Sequence, residues 1–397
     1  MREDKLRCRL RIHQRGGDQR AAARVCLQLG RHYQQSGALD RAEEYYRGSL
    51  TQARRLGDDA LEADAACALG LLGEVCGKLQ TAVMWMRHAH QLNEVNTDLP
   101  RLADTYSHLG FLAFVQGNFG EAKKLHGKAL QLHQEAGDKT KQALDWGNLG
   151  LLRRAQQQYP QARQALEKAL QLYTEADAQA GVADTCNSLA LVALEQQQLD
   201  VAETLLHQAL GIDEALQRPV GMAMHYGVLG DLHLHRREYA LAVSRYQQAM
   251  AIQQKLGNRR NQARLWGQLG VAFEGWGQMQ RAADALRAAL PLYEAMDEPS
   301  GHAWICARLA DLHQKKGEYE SAEALYDQAI TLYQQQKDTA AVAFMRYGLG
   351  YACLGLNRRY DALLQWNMAL DTFRQLGRKE TIAAIEQSLQ GLLRMRQ

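Results

Sequence analysis

The sequence predicts an all-α solenoid. Three observations carry that reading: an internal period of 40 residues, a helical spacing of small and apolar residues within each period, and chain-break signals at two recurring places. Leucine recurs at 29, 69, 109, 149, 189, 229, 269, 309, 349 and 389. The residue after each of the first nine is Gly or Ala, from Gly30 to Gly350. Alanine recurs at 23, 63, 103, 143, 183, 223, 263, 303 and 343, and again at 42, 82, 122, 162, 202, 242, 282, 322 and 362. A third series runs Ser49, Ala89, Ala129, Ala169, Ala209, Ala249, Ala289, Ala329, Ala369. No insertion or deletion interrupts the register.

Each copy holds two helices. In the first copy they span roughly 20–35 and 40–56, with Ala23, Leu29 and Gly30 on one and Ala42, Ser49 and Leu50 on the other. Spacings of three, four and seven make one helical face. A large residue recurs at the 46 position (Tyr46, Leu166, Tyr246, Tyr326, Trp366), and an aromatic often stands at the 26 position (Tyr106, Trp146, Tyr226, Trp266). Gly37, Gly77, Gly117, Gly277 and Gly317 mark the stop between the two helices. Gly57-Asp58, Gly137-Asp138 and Gly257-Asn258 mark the joint between copies. Small residues at 30, 42 and 49 let two helices approach closely, so their role is packing. Pro160, Pro219 and Pro299 sit at helix starts. Pro291 falls inside a helix, where it should bend it.

The ends follow the same frame. Gly17-Asp18 aligns with Gly57-Asp58, so residues 1–20 read as an N-terminal capping half-repeat, with Leu6, Leu10 and Ile12 on core positions. Nine repeats fill 21–380, and 381–397 reads as a C-terminal capping helix. No helix-turn-helix module is expected.

Composition narrows the function classes. The 397 residues are 46% hydrophobic and 23% charged with a net charge of +3, which excludes disorder and gives no electrostatic case for nucleic acid. No apolar run reaches the length of a membrane span, and the N-terminus lacks a signal-peptide core. The seven cysteines are scattered without a CxxC, which fits reduced thiols in the cytoplasm. Cys26, Cys186 and Cys306 take the aromatic core position and read as small buried hydrophobes.

The pattern Trp146–Leu149–Gly150, Tyr159, Ala162, Leu166, Ala169, with Gly317, Tyr319, Ala322, Tyr326, Ala329 as a second instance, resembles the tetratricopeptide repeat (TPR). The 40-residue form with a Gly-Asp joint is similar to that of Pins/LGN, kinesin light chain and the Rap-like bacterial TPR proteins. The resemblance covers essentially the whole chain. It implies a right-handed TPR superhelix (α-solenoid) of about twenty antiparallel helices. It also implies a non-catalytic scaffold or adaptor that binds a partner in a concave groove.

No residues assemble a catalytic motif. His233 and His235, like His88 and His90, are two apart and so lie on different helix faces. Neither a cofactor nor a metal is implied, and the chain reads as no enzyme.

By the resemblance, positions 24, 27, 31 and 34 of each copy face inward. Leu71, Phe111, Phe114, Leu144, Leu151, Leu191, Leu194, Met224 and Leu234 then form an apolar strip, bordered by Arg154 and several aspartates and kept open by Gly147, Gly227 and Gly267. Asn148 and Asn187 are the asparagines nearest the Leu-Gly positions, where the related scaffolds use many to grip peptide backbone. Arg264 and Trp304 extend the face toward the C-terminus, where Phe344, Tyr347 and Tyr351 pack on the final helix or anchor a partner. Three readings of the strip stand: capture of a protein or peptide segment such as an amphipathic helix, cover by neighbouring copies, or self-association. Peptide sensing that modulates a partner enzyme is the alternative function. Nucleic acid and membrane are not expected partners.

Overall fold

A computed structural model describes residues 2–394. It contains twenty helices and, among the described residues, no strand. The chain divides into two compact units, Met1–Gln198 and Leu199–Gln397. That division falls between the two helices of the fifth copy.

The first unit contains α1 (Arg2–Arg15), α2 (Gln19–Gln35), α3 (Leu39–Leu56), α4 (Asp59–Val75), α5 (Leu79–Val95), α6 (Leu99–Val115), α7 (Phe119–Glu135), α8 (Lys139–Ala155), α9 (Tyr159–Glu175) and α10 (Gln179–Glu195). Helices α2 and α3, α4 and α5, α6 and α7, and α8 and α9 form hairpins, and each hairpin packs on the next. The second unit contains α11 (Leu199–Ala215), α12 (Pro219–His235), α13 (Tyr239–Lys255), α14 (Arg259–Gly275), α15 (Met279–Ala295), α16 (Pro299–Lys315), α17 (Tyr319–Gln335), α18 (Thr339–Gly355), α19 (Arg359–Gln375) and α20 (Lys379–Arg394). Its hairpins are α12–α13, α14–α15, α16–α17 and α18–α19, with α11 packed on α12 and α20 on α19.

The periodic small residues are where the paired helices touch. A methyl group at Gly30 would overlap the Tyr46 ring, and one at Gly150 would lie 2.7 Å from Leu166 Cγ. Tyr46, Leu166, Tyr246, Tyr326 and Trp366 are all essentially fully buried. Each such side chain contributes about 1.5–3 kcal/mol by leaving water, and opposite Tyr46, Leu166, Tyr246 and Trp366 a glycine leaves the room for it. Alanines 23, 42 and 63 are equally inaccessible. Ser49, the one non-alanine of its series, donates its hydroxyl to the Ala23 carbonyl at 2.9 Å, which offsets the cost of burying it.

The turns explain the break signals. At Gly57 the backbone enters the left-handed region (φ 62°), and the Asp58 side chain then accepts from Leu61 N–H at 3.1 Å to start α4. Asp18, Asp98, Asp138, Asn258 and Asp338 cap their helices the same way. Gln157, Gln197 and Arg237 are among the non-glycine residues that take the left-handed turn position elsewhere.

Helix α15 runs unbroken through Pro291. The difference lies in its last turn, where Met296 N–H reaches the Tyr293 carbonyl at 3.3 Å, a tightened i to i−3 bond. At the N-terminal end, Tyr33 accepts from Arg7 and donates to Glu3, both at 2.6 Å, joining α1 to α2. Leu6 is buried as its register requires and Leu10 is half-buried, but Ile12 is 61% exposed and takes no part in the core.

Candidate functional site

The first helices of the first unit carry the apolar strip, in a more embedded form than the spacing suggests. Phe111 and Leu144 are exposed, at 38% and 46%. Leu71, Phe114, Leu151 and Leu191 are half-buried. Phe114 leans on Phe119 across the α6–α7 turn, ring centres 6.0 Å apart. Leu194 and Asn187, each 4% exposed, sit in the core and not on the open face. Asn187 stands at position 27, which was expected to face inward and is mostly packed; Leu194, at position 34, is covered where Phe114 and Leu234 at the same position are only half-buried. Asn148 and Arg154 are half-buried, and Arg154 faces Glu195 at 3.7 Å.

A cleft of about 680 Å³ opens on this face between α2, α4 and α6. Cys67, Ala68, Leu71 and Val75 form its apolar wall, with Arg31, Asp64, Arg101 and Asp104 around it. Position-24 acids are tied to the next copy: Asp64 accepts from Arg101 at 3.2 Å and Asp104 from Lys141 at 2.9 Å. A second cleft of about 570 Å³ shares Arg31 and adds Lys5 and Arg9, so the α1 end of the face is basic.

In the second unit Met224 and Trp304 are exposed, at 36% and 39%, Arg264 is exposed and Leu234 is half-buried. Gly227 and Gly267 are buried, against the expectation that they hold a groove open. Arg264 lies over Gly227, and Trp304 over Gly267, where a Cβ would meet the indole Cζ3 at 2.7 Å. These glycines are seats for the position-24 side chain of the next copy. Gly147, which has nothing within reach of a Cβ, remains open.

The C-terminal aromatic group packs on α19 and α20, with Phe344 and Tyr351 still exposed at 41% and 37%. Tyr351 and Tyr347 share the Ser388 hydroxyl of α20 at 2.7 and 3.2 Å, and Phe344 meets Phe373 edge-on at 4.7 Å. Cys26, Cys186 and Cys306 are buried, and burial pushes each thiol up to about 11, away from the reactive thiolate.

Sequence reasoning missed a buried polar junction. His133 Nδ1 lies 2.7 Å from Asp145 Oδ2, with Asp145 fully buried; Ser107 donates to the same carboxylate and His126 stands 3.7 Å from it. His133 Nε2 continues to Asp104 at 3.4 Å. His225 Nε2 meets Asp213 Oδ2 at 3.0 Å, again with both side chains buried. Both pairs join one copy's second helix to the next copy's first, at matching register positions. The available signal was a charged residue in a core register: His133 and Asp213 occupy the position held elsewhere by Ala53 and Phe373. Among the described residues no group of His, Cys, Asp or Glu forms a metal-binding arrangement, and no helix is long and apolar enough to cross a membrane.

One tetratricopeptide repeat model matches residues 101–175, 142–215 and 221–295, and a second matches 25–60 and 305–340. No curated protein sequence matches. Among solved structures, the chain is similar to a signal-transduction ATPase with a tetratricopeptide repeat sensor from Pyrococcus horikoshii (TM-score 0.63, 12% identity, 86% of this chain and 55% of that one). It is also similar to the apo form of the quorum sensor NprR from B. thuringiensis (TM-score 0.56, 13% identity, 88% and 98%). A Rap protein complexed with Competence and Sporulation Factor gives TM-score 0.55 and 14% identity over 85% of this chain and 98% of that one.

Proposed function

Because the chain belongs to the tetratricopeptide repeat family, we propose that it is a non-catalytic interaction protein that captures a protein or peptide segment on the first-helix face of residues 1–198. The observation that supports this is the row Leu71, Phe111, Leu151 and Leu191, one apolar side chain per copy at a single register position, beside a cleft of about 680 Å³. Apolar anchors at a fixed step, with polar side chains between them, suit a segment that presents apolar side chains at a regular interval. A preformed helical face loses little entropy on binding.

The double substitution Phe111→Asp with Leu151→Asp tests this reading. Partner capture should be lost while helix content by circular dichroism stays unchanged. Retained capture, or collapse of the fold, counts against it. Peptide sensing is the second reading, supported by the likeness in fold to NprR and to the Rap complex. It predicts that a bound peptide shortens the maximum dimension in small-angle scattering, which simple capture does not require.

A further inference from the structure

The repeat frame lets one carboxylate be compared with its own counterpart. Glu74 and Glu274 occupy the same position, 34, of the second and seventh copies. Glu274 is well provided for. Arg308 of the following first helix donates to it, and Lys315 lies 2.5 Å from its other oxygen. The frame puts His108 and Val115 where the second copy would need that Arg and Lys. Val115 carries no charge. His108 is surrounded by Asp104, Asp145, His126 and Lys141, and burial holds its pKa below the ordinary value. Glu74 Oε1 is accordingly buried with no hydrogen-bond partner. Burial alone pushes its carboxyl up to about 7, with no cation close enough to oppose it. An ordinary surface glutamate is not held this way, because water or a neighbouring cation satisfies it.

The surroundings state what would satisfy it. Glu74 is not part of the cleft wall but sits beside it in sequence, next to Val75, which lines it, and Val75 and Val115 are exposed apolar side chains one copy apart. We infer that Glu74 is a cation-reading position of the interaction face, taking the Lys or Arg of a captured segment whose neighbouring residues are apolar. The incoming cation would do for Glu74 what Arg308 and Lys315 do for Glu274. Its methylene stem would lie along apolar surface while its charge reached the carboxylate. The inference rests on the reading of this face as a capture surface and adds the charge of what is captured. A strongly acidic segment is disfavoured here, since it would set carboxylate against carboxylate.

An array of nine-residue peptides, random except for a central Lys, Arg, norleucine or Glu, tests it on the full chain. The expected result is at least a tenfold preference for central Lys or Arg over norleucine, and the weakest signal for Glu. The preference should disappear in Glu74→Gln, and also in His108→Arg with Val115→Lys, which rebuilds the Glu274 arrangement internally. This second variant keeps the test decisive should Glu74→Gln change the fold. Equal binding of the Lys and norleucine peptides, or a preference that survives both variants, overturns the inference and leaves apolar capture standing. Binding of none of the peptides overturns the inference and counts against capture as well. A second readout is the carboxyl carbon shift of Glu74: its midpoint should fall from about 7 toward the ordinary carboxylate range with a Lys peptide bound and stay in place with the norleucine peptide.

Discussion

The junction between α7 and α8 and the junction between α11 and α12 solve one problem with opposite assignments. In the first, the second helix supplies the imidazole (His133) and the next first helix the carboxylate (Asp145). In the other, the carboxylate comes first (Asp213) and the imidazole second (His225). The site is the same in register, burial and chemistry, and the donor and acceptor have exchanged places. What the joint specifies is therefore complementarity across copies, not a particular residue on either side. The two joints also differ in company: Asp145 serves Ser107 and His126 as well, whereas Asp213 has Arg218 at 3.3 Å.

Removing one partner of a pair has the largest effect. Asp145→Ala leaves a buried imidazole and a buried hydroxyl without their acceptor and should cost about 3–5 kcal/mol, read as a lower denaturant midpoint. Asp213→Ala should cost less, because fewer groups depend on it; an equal or larger loss would show that the surrounding network adds nothing. The exchange His133→Asp with Asp145→His copies the arrangement that the chain already uses at its other joint. It should recover about 1–2 kcal/mol of the single-variant loss, and no recovery would mean that the orientation of the pair matters as much as its charge.

Gly221→Ala acts at the second joint alone. A Cβ there would overlap the Asp213 carboxylate, and the expected cost is about 1–3 kcal/mol. A neutral result would place the carboxylate elsewhere. Glu74 carries the contrast to a carboxyl with no partner. Its folded pKa of about 7 lies above the ordinary 4.5, so the folded chain holds the proton more tightly than the unfolded one. Its contribution is present at low pH and is lost as pH rises through about 7. Glu74→Gln should leave the melting temperature unchanged near pH 4 and raise it near pH 8. The smallest effect belongs to the turns: Arg237→Gly, at φ 61°, should stabilise by about 1 kcal/mol by relieving a left-handed residue that carries a Cβ.

The architecture was legible because it is written in small residues. Gly30, Ala42 and Ser49 lie where two helices meet, and only Gly, Ala or Ser stands at their positions in any copy, so the pattern repeats clearly. The open face was only half legible. Positions 24 and 31 carry exposed side chains such as Leu144 and Phe111, but position 27 is packed, as Asn187, Gly227 and Gly267 show. Helical spacing gives the direction in which a side chain leaves its own helix and says nothing of what the next copy lays over it; Trp304 on Gly267 is such a case. The Glu74 site was invisible for the same reason. A glutamate at position 34 reads alike in the second and seventh copies until its neighbours in the following helix are placed.

The unbroken 40-residue step has a genetic corollary. Copies in one register can be lost or gained whole by unequal recombination, and most joints would accept the new neighbour, since the alanines of the 23 and 42 series recur in every copy. The two joints that bury a His–Asp pair are the exceptions. An excision that joined the third copy to the sixth would set His133 against His225 in a single buried space, and the reciprocal duplication would bring Asp213 against Asp145. Selection on repeat number should therefore be strictest across these two joints, where like groups would meet, and loosest in the copies whose junctions hold only hydrocarbon.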